Sequence, residues 1–329
     1  LTPRGLDYKL QFPGPTGTNA VEAALKLARK VTGRENVAGF TNAFHGMSLG
    51  ALAVTGNSMK RAGAGVPLSF ADAMPFAGFL GDDPDTVGYF EAFLADGSGM
   101  DNPAAFIVET VQAEGGINVA SLDWLRTLDR VCKQHGILLI VDDIQVGCGR
   151  TGKFFSWEEA GIDPDIICLS KSLSGSGMPM ALTLIRPELD VWEPGEHNGT
   201  FRGNNPAFAT ATKALELFWS DDDLSTEVVR KGERVRAGLE EIRTKHDGLF
   251  TDVRGRGLIQ GLATTLPEVA QGVSQAAFTN GLLIETAGPS GEVIKMLPPL
   301  VVDDTAIDEA LEILDRSTAD VVDQLSDDL

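Results

Sequence analysis

The sequence predicts an α/β fold, with a large doubly wound, mainly parallel sheet domain followed by a smaller C-terminal α+β domain. Three observations predict it. Short apolar runs rich in Ile, Val and Leu do not alternate with polar residues, as expected of strands covered on both faces. Helical patterns lie between several of these runs, which is the signature of βαβ units. Beyond about Leu215 the pattern changes to a long charged helix followed by a few short strands.

In chain order, Gly14-Pro15-Thr16-Gly17-Thr18-Asn19 opens directly into a helical run in which Val21, Leu25 and Ala28 share a face. Val37–Phe40 and Ala105–Val108 read as buried strands. Leu125, Leu128 and Cys132 recur at helical spacing and lead into the apolar run Ile137–Val141, and Ile166–Leu169 and Ala181–Ile185 follow as further strands. The large domain is placed at residues 1–215 and the small one at 216–329. The latter holds a charged helix over 224–245, strand candidates Val253–Ala263, Leu282–Glu285 and Val293–Leu297, and a helix with Ile307, Ala310, Leu311 and Leu314 on one face. Internal repeats and low-complexity linkers are absent from the sequence. It starts abruptly at Leu1, just ahead of Thr2-Pro3-Arg4 and a dense motif, which predicts that an N-terminal segment is missing from it.

Composition excludes several classes. With 43% hydrophobic and 22% charged residues in 329, disordered and fibrous chains are ruled out. The 47 acidic against 27 basic residues give a formal charge of −20, which repels nucleic acid and anionic membrane alike. The apolar run at Ile137–Val141 is too short to span a bilayer and the start lacks a secretory signal, so the expectation is a soluble, cytoplasmic protein. Cys132, Cys148 and Cys168 form neither a CxxC pair nor a metal-ligand spacing, which reads as buried free thiols in a reducing compartment and no metal.

Three motifs carry chemistry. The Gly14–Asn19 stretch at a helix start offers free N–H groups and a positive dipole end, which suit either an ordinary cap or an anion site; it lacks the Gly-Lys-Ser/Thr of a nucleoside triphosphate loop. Ile137–Val141 ends in Asp142-Asp143, at the carboxyl end of a buried strand, where open α/β sheets bind ligands. Ile166–Leu169 ends in Ser170-Lys171. Singly, each has a plain structural reading. Together they supply what a carbonyl cofactor needs: an amine that can lose its proton, a carboxylate for a ring nitrogen, and an anchor for a phosphate.

The run from Asp142-Asp143-Ile144-Gln145 through Gly147-Cys148-Gly149 to Arg150-Thr151-Gly152, followed by Ser170-Lys171, resembles the signature of the class III aminotransferases. Phe44-His45-Gly46, Glu109 through Gln112 to Glu114-Gly115, His197-Asn198-Gly199-Thr200-Phe201 and Val253 to Gly257 are similar to further pieces of that pattern, in the same order. The resemblance implies a fold-type I transferase dependent on pyridoxal 5'-phosphate. It implies that Lys171 holds the cofactor as a Schiff base and shuttles the proton, that Asp142 pairs with the pyridinium nitrogen, and that Gln145 reaches the ring hydroxyl. Phe44 would stack on the ring, Ile144 would lie against the cofactor, and Gly17 with Thr18 would hold the phosphate. The residue matching Thr200 reaches the phosphate of the neighbouring subunit, which implies a homodimer or higher homo-oligomer with sites at the subunit interface. Small-molecule amino acid substrates are implied, with no nucleic acid or membrane partner; a potassium requirement is left open.

Within the class, the Gly14–Asn19 stretch, Asp143, Cys148 and the run Trp192 to Asn205 are similar to the group that makes L-2,4-diaminobutyrate for ectoine synthesis. The reaction implied is transfer of the amino group of L-glutamate to L-aspartate 4-semialdehyde, with ornithine, acetylornithine or 4-aminobutyrate transamination as alternatives, and a cofactor-bearing scaffold without turnover as the non-enzymatic one. Two departures bear on the substrate. Lys295 stands where ornithine-type relatives carry an arginine for glutamate's carboxylate, so charge is kept but the bidentate fork is lost, and Arg202 stands where a glycine is usual. By the same resemblance Glu114 would cover the Lys295 cation in one half-reaction and leave it in the other; the plain alternative makes Lys295 a solvated strand-end residue.

Overall fold

The computed structural model describes residues 7–81, 85–95 and 98–327; the Leu1–Arg4 start lies outside them. Strand β1 (Lys9–Gln11) leads to helix α1 (Gly17–Thr32). The helix begins because Thr16 is extended (φ −122°, ψ 156°) and Asn19 Oδ1 accepts from both the Thr16 amide (3.3 Å) and hydroxyl (2.7 Å). Then come β2 (Val37–Phe40), α2 (Leu49–Ala53), α3 (Ser58–Ala62), β3 (Ala71–Met74), α4 (Thr86–Phe93) and β4 (Ala105–Val108). A short hairpin, β5 (Val111–Gln112) and β6 (Asn118–Val119), precedes α5 (Leu122–His135), β7 (Leu138–Asp142), β8 (Ile166–Leu169), β9 (Leu182–Ile185) and α6 (Asn205–Phe218).

The chain divides into two units. The first runs to Thr110 and includes Ala120–Cys148 and Lys153–Ser220; the second comprises Val111–Val119, Gly149–Gly152 and the chain from Asp221 onward. In the first, the described strands form one sheet in the order β1-β9-β8-β7-β4-β2-β3, in which β3, β2, β4, β7 and β8 are parallel and β9 runs against its neighbours. Phe40, Phe106, Val108, Leu139, Val141 and Ile167 point into a core shared with Phe76 and Phe90, while their chain neighbours Ile107, Ile140, Ile166 and Cys168 point into a second core against Val21, Leu25 and Ala28 of α1. Both faces are dry, which is why these strands read as unbroken apolar runs.

The second unit continues with α7 (Asp223–Lys245), β10 (Asp252–Arg256), β11 (Ile259–Ala263), α8 (Pro267–Thr279), β12 (Glu285–Ala287), β13 (Val293–Met296) and α9 (Asp304–Asp327). Its strands make an antiparallel sheet ordered β10-β11-β13-β12, packed on Val235, Leu239, Leu314 and Val273 from the helices. Two sequence expectations change here. Val253–Ala263 is a hairpin of two strands rather than one, pairing Val253 with Leu262. The strand expected at Leu282 begins at Glu285, because the Leu282 amide is taken by Ala277 O (2.8 Å) at the end of α8. Among the described residues, no helix is long and apolar enough to cross a membrane. All three cysteines are free and buried, as their spacing suggested.

Candidate active site

Parallel register brings the chemistry-bearing residues to one edge of the large sheet. Val108 of β4 pairs with Val141 of β7, and Asp142 pairs with Cys168 of β8, so Glu109, Asp142 and Ser170-Lys171 all follow the carboxyl ends of adjacent strands. Phe44 and His45 follow β2, the next strand over.

Asp142 is 4% exposed. Its Oδ1 accepts from the Ile144 amide (3.1 Å), and its Oδ2 accepts from His45 Nδ1 (2.7 Å). Burial by itself would push the His45 imidazole down, but the bond to Asp142 and the charges of Asp142 and Glu109 outweigh it and hold it above its ordinary 6.5. Glu109, 6% exposed, accepts from the Phe44 amide at Oε2 (3.0 Å). Burial pushes its carboxyl up to about 8, with the His45 charge opposing the rise and Asp142 adding to it.

Lys171 opens a short turn right after β8 with φ 46°, a left-handed conformation that costs a non-glycine residue roughly 1–2 kcal/mol. Ser170 pins the turn from behind by donating to Met180 O (2.7 Å). Lys171 is exposed, and its charge acts on Glu109.

The anion end is built from α1 and the Phe44 loop. A Cβ on Gly17 would stand 3.0 Å from Ile144 Cδ1, so a glycine there is what lets α1 start directly beside the Asp142 loop. Gly46 (φ 132°) brings its backbone against Thr18, where a Cβ would lie 2.5 Å from the hydroxyl oxygen. Thr18 Oγ1 meets Ser48 Oγ (2.6 Å), and Ser48 in turn donates to Glu22 Oε1 (2.6 Å), which also accepts from the Gly50 and Ala51 amides. Gln145 is half-buried beside Ile144, and Phe44 is half-buried with Lys60 Nζ 4.1 Å from its ring centroid.

Asp142 and Asp143 diverge. Asp143 is 1% exposed and accepts from the Ser156 amide (3.0 Å) and hydroxyl, so it secures the following turn. Arg150, from the same motif, belongs to the second unit and donates to Leu258 O (3.0 Å) and Pro298 O; burial lowers its guanidinium to about 10.

Thr200 and Arg202 stand on an exposed turn whose Gly199 lies against Gly14, just ahead of α1. The loop that carries them is fastened to α1: Lys26 donates to Glu196 O (2.7 Å) and lies over Trp192, whose indole donates to Gln11 Oε1 (3.2 Å). In the second unit, Lys295 is 3% exposed, not a solvated strand-end lysine, with its Nζ 2.9 Å from Glu114 Oε1 and 3.2 Å from Glu285 Oε2.

Sequence reasoning gave no role to Glu109, His45 or Glu22. The first two sat inside quoted motifs, and the placement of Glu109 directly after a buried strand, like Asp142, was the available signal.

The pattern of the family Aminotransferase class-III matches residues 5–317. The chain belongs to the class III aminotransferases. It is 61% identical over 315 residues to a diaminobutyrate–2-oxoglutarate transaminase of Nocardia farcinica, covering 95% of this chain and 72% of that one. Against the enzyme of the same name from Virgibacillus pantothenticus it is 56% identical over 323 residues, 98% and 77% of the two chains. Among solved structures, the ornithine aminotransferase of Toxoplasma gondii superposes with a TM-score of 0.84 at 29% identity, over 96% of this chain and 73% of that one. The class III fold thus accounts for the large mainly parallel sheet, and amino acids, as free small molecules, are the substrates of this family.

Proposed function

We propose that this class III aminotransferase moves the amino group of L-glutamate onto the aldehyde of L-aspartate 4-semialdehyde, giving L-2,4-diaminobutyrate and 2-oxoglutarate. The relatives named for diaminobutyrate, at 56% and 61% identity over nearly the whole chain, carry this reading, and favour it over the ornithine alternative.

The residues present fit pyridoxal phosphate. Gly17 lets the start of α1 approach Ile144 and the Asp142 loop, α1 and Thr18 offer anion donors, and a buried carboxylate and an exposed strand-end amine lie at the same sheet edge. When bound, the cofactor supplies a carbonyl that exchanges for an amino group and a ring that takes up carbanion charge. Gly17 and Thr18 would hold its phosphate, Phe44 and Ile144 its ring, Gln145 its hydroxyl, and Lys171 its aldehyde carbon. Asp142, braced by two donors, would hold the proton on the ring nitrogen. The Lys171 amine would take the donor's α-proton at Nζ and return it on the far side of the exchange. Lys295, with Glu114 as its removable cover, would receive glutamate's distal carboxylate, and Arg202 is the alternative cation for it.

We also infer a cytoplasmic homodimer or larger assembly in which Thr200 reaches the partner's phosphate. Met47 (54% exposed), Met59 (74%), Phe70 (56%) and Phe201 (77%) are large apolar side chains that a subunit interface would cover. Sedimentation at micromolar concentration tests this, a monomer overturning it. For the reaction, the purified chain is given L-glutamate with L-aspartate 4-semialdehyde, or with the semialdehydes of ornithine and 4-aminobutyrate metabolism. Preferential formation of diaminobutyrate supports the proposal, and a better rate with either rival acceptor sinks it.

A further inference from the structure

The Asp142 carboxylate has an elaborate support. His45 Nδ1 meets its Oδ2 at 2.7 Å, and the His45 side chain is wholly buried. Where that imidazole stands depends on the Phe44–His45 backbone, which is held from two sides. Phe44 N–H donates to Glu109 Oε2 (3.0 Å), and His45 N–H donates to Thr55 Oγ1 (3.0 Å), whose own hydroxyl reaches Ala51 O (3.0 Å). Thr55 is 1% exposed.

A buried carboxyl is a costly way to accept one amide hydrogen bond, so packing alone does not explain Glu109. Its position does. It follows β4 as Asp142 ends β7, one step past the Val108–Val141 pair, and His45, on the loop after β2, reaches Asp142 and acts electrostatically on Glu109. The amide that Glu109 holds is Phe44's own, one residue ahead of His45, so this hydrogen bond bears on two side chains of the site.

We propose that Glu109 and His45 are positioning residues: Glu109 fixes the Phe44 amide, and His45, the next residue along that braced backbone, locks the Asp142 carboxylate in the orientation that faces the cofactor ring. This rests on the reading that Asp142 and Phe44 contact that ring. Loss of the Glu109 acceptor therefore loosens the ring-face and the ring-nitrogen contacts together, whereas a neutral side chain that still accepts restores both.

The test is titration of the cofactor-stripped full chain with pyridoxal phosphate, reading the dissociation constant and the visible circular dichroism of the bound cofactor. Glu109→Leu and His45→Phe remove the acceptor and the donor; Glu109→Gln and His45→Asn keep them; Asp142→Asn serves as reference. The two disruptive variants should weaken binding about tenfold or more and diminish the dichroic band, and the two conservative ones should stay within about threefold of wild type. Wild-type affinity and band in Glu109→Leu and His45→Phe, with Asp142→Asn impaired, overturn the proposal while leaving the ring-nitrogen reading intact. An unimpaired Asp142→Asn instead overturns that reading. If Glu109→Leu does not fold, His45→Phe against His45→Asn decides, equal behaviour of the pair counting against the proposal.

Discussion

Glu109→Gln should flatten the pH dependence of stability in the cofactor-free protein. Burial lifts the Glu109 carboxyl from its ordinary 4.5 to about 8, so between these values the folded chain keeps a proton that the unfolded chain has lost. The stability contribution is therefore fully present below the unfolded value, declines as pH rises through the window, and levels off above the folded value. Each pH unit inside the window costs about 1.4 kcal/mol, so going from pH 6 to pH 8 should cost wild type roughly 2–3 kcal/mol through this group. His45 adds a decline of the same sign above its ordinary 6.5, its folded value being raised as well. The glutamine variant retains most of that decline but none of the first. Urea unfolding of both proteins at pH 6, 7 and 8 measures it: the stability difference between them should change by about 2 kcal/mol across the series. Parallel pH profiles would mean that Glu109 does not hold a proton in the folded chain, and would refute the reasoning.

Other substitutions separate chemistry from architecture. Lys171→Ala should abolish steady turnover with unchanged far-ultraviolet circular dichroism, because its amine is used for both cofactor attachment and proton transfer. Asp142→Asn should cost turnover about tenfold to a hundredfold or more, whereas Asp143→Asn, which weakens the grip on the Ser156 amide and hydroxyl, should lower unfolding free energy by roughly 1–3 kcal/mol and change the rate per folded molecule far less. Lys295→Met should slow the glutamate half-reaction about tenfold to a hundredfold and the diaminobutyrate half-reaction much less, with Glu114→Gln biased the other way. Single-turnover rates with each donor check this pair; equal losses in both would make Lys295 structural.

The parallel strands were legible because residues such as Ile140 and Val141 are adjacent in sequence yet buried on opposite faces of one sheet. The strand–loop carboxylate and lysine at Asp142 and Lys171 were legible for the same reason: each polar residue ends an apolar run. What escaped was set by partners distant in sequence. Strand β1 exists because Leu10 pairs with Leu184, and nothing local to Lys9–Gln11 signals it. The division of Val253–Ala263 depended on where its two halves met, and the burial of Lys295 on Glu114, far away along the chain. Glu109 and His45 were visible as letters in motifs, but a role for them requires knowing that β2, β4 and β7 lie side by side.

The most direct test of the central claim is borohydride reduction of the chain loaded with pyridoxal phosphate, followed by peptide mapping. The account predicts one stable pyridoxyl adduct, on the peptide that carries Lys171. An adduct on another lysine, or none in a preparation that still transaminates, would contradict it.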